Sequence, residues 1–141
     1  MDGLCGAVHG YRLANNEYAK SRPKSEVATA KTIGESLGRY AELAGKAVDE
    51  LNAIGVSSVA VGETARKSFV DKFTASRDAA ANGKAKLEAA KGDAKALDAA
   101  IEAMNAAQTA VSEAYDPVSP ISGAPELAAA SASAPKCKPG S

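Results

Sequence analysis

The sequence predicts an all-α fold: an up-down-up-down bundle of four helices followed by a tail with a short helix of its own. Three observations carry this. Apolar residues recur in alternating steps of three and four along four separate stretches, the spacing that lines one side of a helix. Glycine, proline or a capping residue falls between consecutive stretches. No segment alternates apolar with polar residues while being rich in β-branched side chains, as a half-buried strand would. At 141 residues the chain is long enough for one domain with a single core.

The first stretch, Leu4, Val8, Tyr11, Ala14 and Tyr18, predicts a helix over 3–20. Ser21-Arg22-Pro23 interrupts it, with Pro23 suited to a first turn and Ser25 a candidate N-cap. The second helix is expected over 24–54, with Ile33, Leu37, Tyr40, Ala44, Ala47, Leu51 and Ile54 on its apolar side and Ala41 and Val48 widening it. Gly55 follows as a C-terminal stop, and Ser57 or Ser58 offers the next cap. The third helix, 59–91, carries Phe69, Phe73, Ser76, Ala80, Gly83, Leu87 and Ala90. Gly92 ends it and Asp93 caps a fourth helix over 93–115, whose stripe reads Ala94, Leu97, Ile101, Met104, Gln108, Val111 and Tyr115. Asp116-Pro117 closes that helix, because the residue before proline is pushed out of the α region. The domain expected to hold the bundle is therefore 1–116. Residues 117–141 form a Pro/Ala/Ser-rich tail that has five of the six prolines and an alanine-rich segment, 125–135, fit for about two helical turns.

Charge narrows the function classes. Lys+Arg 17 equals Asp+Glu 17, so there is no excess of cations to displace counterions from phosphates, and nucleic acid is not an expected partner. The charges alternate in sign at helical spacing: Lys31, Glu35, Arg39; Glu42, Lys46, Glu50; Glu63, Lys67, Asp71. Each such pair is worth only ~0.2–0.5 kcal/mol, so these rows read as solvated faces. No apolar run approaches the ~20 residues that cross a bilayer, so no transmembrane segment is expected. No secretory leader is read either, the Met1-Asp2-Gly3 opening looking like the start of a trimmed chain.

Cys5 and Cys137 stand near opposite ends of the sequence. In an up-down-up-down bundle the start of the first helix and the end of the fourth emerge together, and a tail of about twenty residues reaches back from one to the other. A Cys5–Cys137 disulfide would close a loop of about 130 residues, contribute at most ~5 kcal/mol in the chain-entropy model and imply an oxidising compartment. Two unpaired thiols in a cytosolic protein are the alternative. The bridge also gives the tail a task, covering the length by which the first helix falls short of the second.

Catalytic motifs are few. Gly34-Glu35-Ser36-Leu37-Gly38 matches G-x-S-x-G, but that elbow works only where a strand turns into a helix, and Leu37 belongs to an unbroken apolar repeat. His9 is the only histidine and there is no second one to complete a ligand set, so no metal, haem or other cofactor held by several protein ligands is expected. There is no glycine-rich phosphate loop. The glycines of the second helix, with Ala41, form a small-residue ridge that allows close approach of a neighbour or leaves room for an apolar ligand. Alanine-rich helices give a thin core, so a cavity between helices is the expected ligand site if one exists, with Gly38, Gly45, Phe69, Phe73 and Gly83 around it and Ser76 and Gln108 as polar contacts.

Four segments carry a family likeness: Leu4-Cys5-Gly6-Ala7-Val8-His9-Gly10-Tyr11, Ala53-Ile54-Gly55-Val56 with Gly62-Glu63-Thr64-Ala65-Arg66-Lys67-Ser68-Phe69-Val70, Ala124-Pro125-Glu126-Leu127-Ala128-Ala129-Ala130, and Ala134-Pro135-Lys136-Cys137. In these the chain resembles the small secreted proteins and lipoproteins of actinobacteria, without the leader and lipid-anchoring cysteine that some of them have. The resemblance implies an exported helical bundle closed by a bridge between terminal cysteines, and no agreed activity. A weaker likeness, of composition and helix length alone, is to the alanine-rich helical surface-coat proteins of trypanosomes. The expected function is that of a non-enzymatic extracytoplasmic bundle, secreted or surface-anchored, that binds an envelope partner or a small apolar ligand. The alternative is a structural coat protein that associates laterally with its own copies.

Overall fold

The computed structural model describes residues 1–23, 27–91 and 93–138. Four helices make the bundle: α1 (Asp2–Ser21), α2 (Ala30–Ala53), α3 (Ala60–Ala89) and α4 (Ala94–Ser112). A 3-10 turn (Ser119–Ile121), the short helix α5 (Pro125–Ser133) and a second 3-10 turn (Pro135–Cys137) make the tail. No strand occurs among the described residues. Neighbours run antiparallel, as the paired contacts show: Gly3 lies under Ile54 while Tyr18 meets Ser36, and Gly34 lies under Leu87 while Gly45 lies under Arg77. Likewise Gly83 meets Ala103 while Lys72 meets Glu113.

The caps explain the boundaries. Helix α2 begins at Ala30 rather than 24 because Thr29 and Thr32 form a reciprocal capping box: Thr29 Oγ1 accepts from the Thr32 amide at 3.2 Å and Thr32 Oγ1 from the Thr29 amide at 2.9 Å. The expected cap Ser25 lies outside the described residues, as does the stop Gly92. Gly55 does end the turn after α2, at φ +78° in the left-handed region. Asp93 caps α4 by accepting from the Ala96 amide at 2.8 Å. Helix α4 stops at Ser112, three residues short of expectation, and Asp116 Oδ1 instead accepts from the Val118 and Ser119 amides at 2.9 and 3.2 Å, organising the turn that follows.

The core has two parts. At one end Leu4, Val8, Tyr11, Leu43, Leu51, Phe69, Phe73 and Val111 pack together; at the other, Ile33, Leu37, Tyr40 and Leu87 pack with Ala80, Ala100 and Ala107. The α2 and α3 stripes are buried as the periodicity predicts, apart from Ile54, which is exposed, and Ala90, which is half-buried. The α4 stripe is displaced. Its buried residues are Ala100, Ala107 and Val111, while Leu97, Ile101 and Met104 are half-buried and Ala94 and Gln108 exposed. The cause is close packing: a methyl group in place of the Gly83 hydrogen would stand 2.5 Å from the Ala103 Cβ. Helix α4 presents alanines to α3 and comes near, and its longer side chains flank the seam.

Candidate functional site

The disulfide between Cys5 and Cys137 is formed, with S–S 2.01 Å across a sequence separation of 132 residues. The tail reaches it by crossing the end of the bundle where α1 and α3 start. Ile121 is fully buried there, and Leu127 lies over Gly62 at the start of α3. It therefore covers that end, not the length by which α1 falls short. Polar bonds fasten its last turn: the His9 Nδ1–H donates to the Lys136 carbonyl at 2.9 Å, and the Lys136 amide donates to Asp2 Oδ1 at 3.2 Å. His9 is buried as a fastening of the tail, which the sequence could not specify.

The α2–α3 turn sits at this same clamped end. It is fixed by Glu63, which accepts from Arg66 Nη2 at 2.7 Å and Nε at 3.1 Å and from the Ser57 amide at 3.0 Å. Such a two-pronged arginine–carboxylate pair is the strong form of the interaction. Both side chains are only 14% exposed, so Glu63 departs from the solvated row expected there, while Lys67 and Asp71 are exposed as expected. The Arg66 bonds first, then the Ser57 amide, hold the Glu63 carboxyl down at about 2. Neither Ser57 nor Ser58 caps α3; Val59 occupies that position, and the Ser57 hydroxyl accepts from the Val59 amide. A turn pinned in this way holds apolar side chains outward: Ile54 is 42%, Val56 82% and Val61 39% exposed. Beside them is a concavity of about 280 Å³ whose lining includes Met1, Leu4, Ile54, Val56 and Leu127.

The residues expected around an interior cavity are placed as follows. Phe69, Phe73, Ser76 and Gly83 are buried along one side of α3. Phe73 stacks edge-on to Tyr11 at 4.8 Å, and Gly83 receives Ala103 and the Leu37 side chain. Gly38 and Gly45 lie on the α2–α3 seam under the stems of Lys84 and Arg77. Gln108 is exposed and donates to the Tyr40 hydroxyl at 2.8 Å. Phe69, Phe73 and Ser76 thus share one interior layer, while Gly38, Gly45 and Gln108 stand outside it. Ser36 of the G-x-S-x-G match is mid-helix and fully buried, donating to the Thr32 carbonyl and accepting from the Tyr18 hydroxyl at 3.1 Å.

Each core cluster holds a tyrosine pair: Tyr11 stacks on the half-buried Tyr115 at 6.4 Å in the one at the clamped end, and the half-buried Tyr18 meets Tyr40 edge-on at 6.0 Å in the other. Burial, and then the neighbouring Tyr115, push the Tyr11 hydroxyl far above the ordinary tyrosine range, with Ser76 pulling the other way. The Ser76 hydroxyl, itself fully buried, is near enough to influence Tyr11 yet makes no well-aligned hydrogen bond.

A third feature is the groove between α1 and α2, about 680 Å³, floored by Ala7, Gly10 and Ala14 and rimmed by Arg39, Glu42, Lys46 and Glu50. Among the described residues there is no His/Cys/Asp/Glu cluster able to hold a metal, and no helix is long and apolar enough to cross a membrane. Comparison with family models, with curated proteins and with solved structures gave no match.

Proposed function

We propose that the chain is a non-catalytic, extracytoplasmic binding bundle that engages an apolar segment of an envelope protein at its disulfide-clamped end. The exposed Ile54, Val56 and Val61 on a turn pinned by Glu63 and Arg66 carry this reading. Large apolar side chains held rigidly in water are costly alone and become favourable when a partner covers them. The concavity beside them, about 280 Å³, falls just below the ~300–1,000 Å³ of small-molecule sites, which suits a partner's side chain better than a free ligand. A disulfide persists in oxidising compartments, which supports an extracytoplasmic location.

The test is a photo-crosslinking residue placed at Val56 in the native host, with the same probe at exposed Lys95 on the far end as control. A single adduct formed at position 56, absent at 95 and abolished by Ile54→Glu, is expected. Equal labelling at both sites overturns the reading. A stoichiometric small molecule seen by native mass spectrometry and lost in Val56→Glu replaces the envelope protein with an apolar ligand.

A further inference from the structure

Gly10 is an oddity in α1. A glycine in an exposed helix costs roughly 1 kcal/mol relative to alanine, and at the other helical glycines described a neighbouring side chain occupies the space a Cβ would need or touch: Ile54 at Gly3, Lys136 at Gly6, Ala103 at Gly83. Above Gly10 there is nothing within 4 Å. It lies open on the floor of the α1–α2 groove. One turn on, and turned only about 60° around the helix, Leu13 stands 44% exposed. A gap and an apolar knob are thus adjacent on one face.

The α2 wall of the groove carries Arg39, Glu42, Lys46 and Glu50, in the order plus, minus, plus, minus; within the chain Arg39 pairs with Glu42 at 2.8 Å and Lys46 with Glu50 at 3.8 Å, exposed pairs that a facing copy can share or exchange. Read backwards the order is minus, plus, minus, plus. An antiparallel copy of the same wall therefore sets Arg39 against Glu50 and Glu42 against Lys46, about a point close to Ala44, and does so again on the other side. A parallel copy sets like against like. Self-complementarity of this kind is what a two-fold interface between identical chains requires.

The two features share one level of the bundle. Contacts of Gly3 with Ile54 and of Tyr18 with Ser36 fix the register of α1 against α2, and by it the neighbourhood of Ala44 lies level with the midpoint between Gly10 and Leu13. The axis that pairs the charges is also the axis that lays Leu13 of each copy over Gly10 of the other.

We infer that a second copy of this chain docks here, antiparallel, as a two-fold dimer built on α1 and α2. Such an interface closes on itself, so the product is a dimer and not the laterally growing array of a coat. The groove runs up to Ile54 at the clamped end, but Gly10, Leu13 and the charges from Arg39 to Glu50 are distinct from Val56 and Val61, and the inference does not rest on the function proposed for that end.

Sedimentation velocity of the full chain from about 1 to 500 µM tests it. A monomer–dimer equilibrium is expected, weakened at least tenfold by Leu13→Glu and unchanged by Val56→Glu. Glu42→Lys and Lys46→Glu should each weaken it several-fold, while the double exchange restores it, since only antiparallel pairing sets position 42 against 46. Circular dichroism confirms that each variant is folded. A strict monomer throughout this range overturns the inference, as does a dimer that Leu13→Glu leaves intact, one that Val56→Glu disrupts, or one in which the double exchange is no better than the single ones.

Discussion

The clamped end and the far end of the bundle are made from equally alanine-rich helices and solve the packing problem in opposite ways. At the clamped end, large side chains (Leu4, Tyr11, Leu51, Phe69, Phe73) hold the helices apart, and a disulfide, a tail and the bonds of His9 and Asp2 hold them together. At the far end, beyond the reach of the tail, Gly83, Ala100, Ala103 and Ala107 let α3 and α4 approach until their Cβ atoms would collide. The thin core expected from composition is thus most pronounced along the α3–α4 seam of the far half. Where side chains are small, backbone proximity replaces area; where they are large, a covalent staple supports them.

Removing the staple should have the largest effect. In Cys5→Ser/Cys137→Ser the unfolded chain regains the freedom of a loop of about 130 residues, so a loss of ~3–5 kcal/mol by urea denaturation is expected. Hydrogen exchange should accelerate more at Ile121, Ala134 and the start of α1 than at Leu37 or Leu87; uniform acceleration would erase the distinction between the ends. Phe73→Ala, at a fully buried position against Tyr11, should cost about 3–5 kcal/mol and loosen the same end. At the far end, Gly83→Ala should cost about 1–2 kcal/mol, because the overlap with Ala103 outweighs the ~1 kcal/mol of helix propensity gained. A gain in stability there would mean that α4 can yield.

Much of this was legible in the sequence, and what was missed follows one logic. The α2 and α3 stripes, the caps at Gly55 and Asp93 and the pairing of Cys5 with Cys137 follow from local spacing and from topology. The α4 face did not, because periodicity rewards large residues, and the side chains that face α3 are the smallest on the helix. The Glu63–Arg66 pair was hidden for a related reason: three residues apart, it looks like any solvated i,i+3 pair, and only the return of the α2–α3 turn covers it. The apolar end was legible least of all. Ile54 fits a core stripe and Val56 fits no period, and their exposure is decided by where the turn leaves the bundle.

Glu63 offers a milder way to sharpen the comparison, since it fixes a turn at the clamped end alone. Its carboxyl is held at about 2, below the ordinary 4.5. The sign follows from linkage: a carboxyl whose folded value is depressed contributes stability that is complete above 4.5 and is lost as pH falls from there towards 2. The melting temperature of the native chain should exceed that of Glu63→Gln at pH 6, and the gap should narrow as pH falls below 4.5 and close only as pH drops through about 2. A gap that does not change with pH would mean that the pair holds the turn by shape and not by charge.

Gly10→Ala should have the smallest effect and the opposite sign to Gly83→Ala, which makes the pair a direct measure of what each glycine is for. Both sit inside helices and differ only in what lies above them: the Ala103 Cβ at one, open space at the other. At concentrations low enough to keep the chain monomeric, Gly10→Ala should stabilise it by about 0.5–1 kcal/mol through backbone entropy alone. If both substitutions stabilise, the tight seam between α3 and α4 is not an energetic constraint; if both destabilise, Gly10 is already in contact within the monomer. Opposite signs would separate a glycine that admits a neighbouring helix from one that the monomer leaves uncovered.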